Sequence, residues 1–174
     1  AMYNIHHSEE RASTLPGVVR QILTHNLYTL IYLVGKPVKV QAMKANRHYE
    51  KIDQEDLALV NLELESGALA HISASFAADD LSSSPWTFTA KVIGTAGTTH
   101  YTYQDWVETK QGLAHSRTYT AYQGAITNED RFFVRHCLTG EGELRSTLDD
   151  AILAQQTIEA IERSLDEGTT VEIG

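Results

Sequence analysis

Residues 60–76 read Val60-Asn61-Leu62-Glu63-Leu64-Glu65-Ser66-Gly67-Ala68-Leu69-Ala70-His71-Ile72-Ser73-Ala74-Ser75-Phe76. Val60, Leu62 and Leu64 alternate with Asn61, Glu63 and Glu65. After Ser66-Gly67, Ala70, Ile72, Ala74 and Phe76 alternate with His71, Ser73 and Ser75. A period of two on both sides of a Ser-Gly turn is a β-hairpin with one apolar and one polar face. Such strands suit an antiparallel sheet covered by helices on a single side. Upstream, Val38, Val40 and Ala42 alternate with Lys39, Gln41 and Met43, which adds a strand. Downstream, Trp86 to Ile93 is strand-like and Gly94-Thr95-Ala96-Gly97-Thr98 is a turn between strands. Thr99 to Val107 and Arg117 to Tyr122 are expected to complete the sheet.

Ahead of the sheet the period is 3.6. Residues 17–35, GVVRQILTHNLYTLIYLVG, place Val19, Leu23, Leu27, Leu30 and Val34 at spacings of three and four, the stripe of an amphipathic helix. Pro16 suits the first turn; Gly35 and Pro37 end the helix. Gln21, His25, Tyr28 and Tyr32 repeat the same spacings and define a second ridge. Two helices close the chain. Thr127 or Asn128 is expected to cap the first, which runs to about Thr139 with Gly140 as its stop. Thr147 with Asp150 caps the second, whose buried stripe is Ala151, Ala154, Ile158, Ile161 and Leu165; Gly168 ends it before a short strand, Thr170 to Ile173. The expected fold class is α+β: an open, mainly antiparallel β-sheet with helices packed on one face. Residues 15–174 read as a single α+β domain, and 1–14 as a leader or edge strand.

Composition narrows the function. A hydrophobic content of 42% and a charged content of 21% are ordinary for a globular domain. The 14 Lys and Arg against 23 Asp and Glu give a net charge of -9, which disfavours nucleic acid and anionic membrane surfaces. The basic residues between Lys36 and Lys51 alternate with apolar ones and read as a solvated strand face. The one cysteine, Cys137, excludes an intrachain disulfide, and its neighbours Phe132, Phe133 and Leu138 suggest a buried structural thiol. The longest apolar run falls far short of a membrane span, and no signal-peptide pattern is seen, so a cytoplasmic protein is expected.

Five features in order carry a resemblance. They are the helix from Gly17 through His25 to Gly35 followed by Pro37-Val38; Glu55-Asp56 opening a strand; the Ser66-Gly67 hairpin; Gly94-Thr95-Ala96-Gly97-Thr98; and Asp149-Asp150-Ala151 with Ala160-Ile161, Ser164, Glu167-Gly168 and Val171. From residue 16 onward the chain resembles the C-terminal domain of the Gfo/Idh/MocA oxidoreductases. The resemblance implies a fold like the C-terminal domain of glyceraldehyde-phosphate dehydrogenase. It also implies a sheet face that builds oligomers and the substrate pocket, and a sugar, polyol or related substrate. The family's helix reads Asp-x-Gly-x-His-x-x-Asp, with the histidine as general acid/base at the substrate hydroxyl and the preceding Asp assisting it. A lysine from the family's first domain completes that site. By this match His25 is the catalytic candidate, with Gln21, Tyr28 and Tyr32 as substrate-binding candidates. Here Gln21 and Tyr28 stand at the Asp positions and Leu23 at the glycine. Glutamine can accept a hydrogen bond from the ring but brings no charge to an imidazolium.

No Gly-x-Gly-x-x-Gly follows a strand in these residues, so the dinucleotide-binding Rossmann domain is expected to be absent. The chain alone is expected to bind no cofactor. NAD or NADP is implied only through a separate dinucleotide-binding chain, without which no redox turnover is expected. The alternative is a non-catalytic ligand-binding or assembly module derived from the same domain. A ridge packed against the sheet would be the purely structural reading of Gln21, His25, Tyr28 and Tyr32, and a cofactor-independent isomerase or lyase lacks a second acid/base beyond Tyr28. No metal site is expected, since no two histidines stand four apart and the others are scattered, His6-His7 beside Glu9-Glu10 offering only adventitious ligands. No Gly-x-Ser-x-Gly nucleophile elbow occurs. Self-association through the open sheet face, as a homo-oligomer, is expected.

Overall fold

The alternation over 60–75 becomes a hairpin at one edge of a four-stranded antiparallel sheet in a computed structural model that describes residues 16–47, 54–75, 88–103 and 116–174, so that Phe76 lies outside the described residues. Its strands are β1 (Pro37–Ala45), β2 (Leu57–Leu64), β3 (Leu69–Ser75) and β6 (Val171–Glu172), in the order β3-β2-β1-β6. The expected leader at 1–14 lies outside the described residues. Ala58, Val60, Leu62 and Leu64 of β2 are all buried, so the period-two reading fixes the inward face of that strand. Gly67 takes a φ of 80° in the turn, where its amide donates to the Leu64 carbonyl at 2.8 Å. A side chain there would be strained.

One expected inward residue is out of phase. Pro37 pairs with Leu64 but Lys39 pairs with Glu63, so β1 carries an extra residue at Val38. This bulge leaves Val38 half-buried while Pro37, Val40 and Ala42 are buried. The Val38 carbonyl accepts from Ile173 N at 2.9 Å and so helps to hold β6.

The first helix begins as a π-helical turn, Val19–Leu23, and continues as α1, Thr24–Val34. Helix α3, Leu148–Glu167, packs with it on the inward face of the sheet. The core joins Val18, Val19, Leu23, Leu27 and Ile31 to Ala154, Ile158, Ala160 and Ile161 and to the inward strand residues. Both bonds of the Thr147–Asp150 capping box form, Thr147 N to Asp150 Oδ2 at 2.8 Å and Asp150 N to Thr147 Oγ1 at 3.3 Å. Gly168 closes α3 in the left-handed region, as the sequence pattern requires.

The described residues divide between two compact units, one built from the segments up to Ala77 and from Glu143 onward, the other from the chain between them. The second unit contains β4 (Phe88–Gly94) and β5 (Gly97–Tyr103), paired through a two-residue turn at Thr95-Ala96, and α2 (Ser116–Thr139). Trp86 and residues 104–107, read as strand, lie outside the described residues. The strand expected at Arg117–Tyr122 is instead the start of α2, and Thr127 and Asn128 are interior to that helix rather than its cap. Thr and Tyr favour strands only modestly, and Tyr119, Tyr122 and Ile126 recur at spacings of three and four, a helical pattern that runs unbroken into the rest of α2. Cys137 is exposed, not buried. On a helix it shares a side with Phe133 and Val134, themselves exposed, while Phe132 stacks on His136 on a different side with ring centroids 6.1 Å apart. Among the described residues no helix is long and apolar enough to cross a membrane.

Candidate functional site

A helix that starts on Gly-Val-Val has no polar side chain of its own to satisfy its first amides. Glu55, just before β2, supplies what is missing. Its backbone carbonyl accepts from Val18 N at 3.0 Å, and its side-chain Oε1 accepts from Val19 N at 3.1 Å. The carboxylate lies where a Cβ on Gly17 would be, so any side chain at position 17 would displace it from this seat. A negative charge at a helix N-terminus is also favoured by the helix dipole.

The next element is the π turn. Such turns are rare and cluster at functional places. Arg20, inside it, forms a two-pronged ion pair with Glu162 of α3 through its Nε and Nη2. That hydrogen bond, above all, holds the Arg20 guanidinium above its ordinary pKa, with the charges of Glu162, Glu159 and Glu55 adding to it. Two carboxylates from different elements thus fix the first turn.

The four expected site residues follow on this helix. His25 is exposed, on the side of α1 opposite the buried Leu23 and Leu27. Tyr32, seven residues or almost two full turns later, is 60% exposed. Gln21 and Tyr28 are half-buried, and Tyr28 packs against the edge of the core. His25 and Tyr32 therefore face away from the core, while Gln21 and Tyr28 are partly covered. Gln21 and His25 share no hydrogen bond. Thr24 Oγ1 and Thr29 Oγ1 donate to the carbonyls of Arg20 at 2.8 Å and His25 at 3.1 Å, keeping both hydroxyls on the helix backbone.

Sequence reading missed three groups that hold this helix: the Glu55 side chain, Arg20 with Glu162, and Ser164. Only Glu55 had a local signal, as part of Glu55-Asp56 ahead of a strand. Ser164 is fully buried on α3; its Oγ accepts from Ala42 N at 3.0 Å and donates to the Thr169 carbonyl at 2.6 Å, tying α3 to β1.

The opposite sheet face presents ordered rows. Lys39 bridges Glu63 and Glu172 at 3.4 Å each, which raises the lysine above its ordinary pKa. In the next row Gln41, Asn61 and His71 lie side by side, with His71 Nδ1 2.9 Å from Asn61 Oδ1. A shallow depression of about 370 Å³ lies over these rows. Further along, Met43 is 72% exposed beside Leu59.

A dinucleotide does not fit the described residues. Gly94 and Gly97 bracket a hairpin turn, and the one described glycine that opens a helix, Gly17, faces the Glu55 carboxylate where a phosphate would have to lie. Among the described residues no three His, Cys, Asp or Glu side chains are grouped so as to hold a metal.

The family model for the GFO/IDH/MocA C-terminal domain matches residues 4–100. The chain belongs to the Gfo/Idh/MocA family. Solved structures with the same fold include GenD2 from gentamicin A biosynthesis in complex with NAD, at 24% identity and a TM-score of 0.74, covering 91% of this chain and 48% of that one. A myo-inositol dehydrogenase from Corynebacterium glutamicum matches at 19% identity and a TM-score of 0.76, covering 96% and 52%. The WlbA dehydrogenase from Bordetella pertussis in complex with NADH and UDP-GlcNAcA matches at 17% and 0.70, covering 97% and 54%. This chain spans about half the length of each of these structures. No curated protein sequence gives a significant match. The match is to the family's C-terminal domain.

Proposed function

We propose that this chain is the substrate-binding and oligomerisation part of an NAD(P)-dependent oxidoreductase acting on a sugar, polyol or related compound. The observation that carries the reading is the placement of His25: an exposed imidazole on a buried, doubly anchored helix, flanked by Gln21, Tyr28 and Tyr32. In this reading residues 15–174 serve as one α+β domain, and the dinucleotide is held outside the residues described. His25 takes the proton from a substrate hydroxyl as it is oxidised and returns it in the reverse direction. Gln21 orients the ring once substrate orders it, and the tyrosines offer hydroxyls and ring faces to a polyol. The open sheet face, with its exposed Met43 and paired charges, serves self-association. A non-catalytic binding module remains a second reading, favoured by the uncharged Gln21.

Titrating the isotope-labelled protein with myo-inositol, levoglucosan and UDP-GlcNAcA, followed by NMR, tests the site. Shifts confined to Gln21, His25, Tyr28 and Tyr32 and their neighbours are expected with at least one of these. Binding elsewhere, or none, would count against the ridge. Binding that survives His25→Ala, with no turnover in any assembly, would select the module.

A further inference from the structure

We infer that Glu55 is a positioning residue for the Gln21–His25 pair: seated in the space left by Gly17, it holds the first helical turn in its wide π form and so brings Gln21 into line with His25. This rests on the reading of His25 as the acid/base. In an α-helix four residues overshoot a full turn by about 40°. Of the four steps from Gln21 to His25, those inside the wider π turn each advance less than an α step and so take up this overshoot, which sets Gln21 more nearly over His25. A π turn does not persist by propensity and needs anchors. Glu55 provides two at the N-terminal side, through its carbonyl to Val18 N at 3.0 Å and its Oε1 to Val19 N at 3.1 Å, and Arg20 with Glu162 provides the third. Glu55 enters from the strand side and Glu162 from α3, so the turn is held from both layers of the core. Gly17 belongs to the same device, because any side chain there displaces the carboxylate.

The bond to Val19 needs an acceptor oxygen and not a charge. Glu55→Gln can therefore keep it, whereas Glu55→Ala and Gly17→Ala cannot. The test is NMR of the unliganded protein, reading the nuclear Overhauser contacts between residues five apart that mark the π turn at Val19–Leu23, and amide exchange at Val19. In Glu55→Ala and Gly17→Ala the five-apart contacts should give way to α-helical ones, and the Val19 amide should exchange about five- to tenfold faster. Glu55→Gln should retain both. Thr147→Ala, which removes the cap of α3 and destabilises without touching this turn, should retain both as well. Persistence of the π contacts in Glu55→Ala, or their loss in Thr147→Ala, would overturn the proposal. Amide protection at Val60 reports that each variant is folded, and if Glu55→Ala is not, Gly17→Ala decides. These readouts need no ligand, so they stand apart from the polyol titration: a wild type that binds no polyol at this ridge defeats the functional reading and leaves the Glu55 result intact.

Discussion

Ser164→Ala should destabilise the fold far more than a serine-to-alanine change normally does. β6 is only two residues long and pairs with β1 at Lys39 and Val40, so the next outward amide of β1, Ala42 N–H, has no strand to bond. The Ser164 hydroxyl takes that place and passes the bond on to the Thr169 carbonyl, a relay in which each bond polarises the other. Alanine leaves the buried Ala42 amide unsatisfied, at about 1–3 kcal/mol, and removes the part-buried bond to Thr169, at about 0.5–1.5 kcal/mol. The expected loss is roughly 2–4 kcal/mol, with no compensating gain from the small void. Urea unfolding should show a lower midpoint at unchanged slope. Amide exchange should accelerate at Ala42 before Val60, whose neighbours are fully paired. A loss below about 0.5 kcal/mol, or unchanged Ala42 protection, would refute the relay.

Three further outcomes follow from the packing and charges. Leu27→Ala, at a fully buried position beneath His25, should cost about 2–5 kcal/mol in urea unfolding, and a cost under about 1 kcal/mol would deny its place in the core. A double-mutant cycle on Arg20 and Glu162 should give a coupling of only about 0.5–1 kcal/mol, because their side chains are 42% and 35% exposed, and it should shrink as salt is raised. Lys39 has a raised pKa, so its contribution is fully present below the ordinary lysine value of 10.5 and is lost as pH rises through the higher folded value; the melting-temperature gap between wild type and Lys39→Gln should therefore be constant near neutrality and close only above 10.5.

Features written in local pattern were legible in the sequence: the hairpin over 60–75, the helix over 17–35, the Thr147–Asp150 box and the Gly168 cap. Each rests on residues within a few positions of one another. What escaped depends on distant partners or on competing periods. Val38 looked inward by alternation until the bulge shifted it. Arg117–Tyr122 satisfied a strand's composition and a helix's spacing together, and continuity with the rest of α2 decided the outcome. The sequence neighbours of Cys137 suggest burial, but on a helix the neighbours three and four residues away set its exposure. For the site, the ridge of Gln21, His25, Tyr28 and Tyr32 could be picked out by spacing, but not the side it would face. The π turn and its clamp were not visible, since Glu55 lies 36 positions from Val19 and Glu162 142 positions from Arg20.

In the proposed reading, His25 moves the proton in a dehydrogenase whose nicotinamide is held outside the residues described. The most direct measurement is made on the protein gently captured from its source-cell lysate: native mass spectrometry to find the polypeptide that carries NAD or NADP, then polyol-dependent formation of NAD(P)H by that assembly with wild type and with His25→Ala. The expected result is a stoichiometric dinucleotide-bearing partner or domain, with turnover that falls by about 10²-fold or more in His25→Ala. A homo-oligomer with no bound dinucleotide, or turnover indifferent to His25, would contradict it.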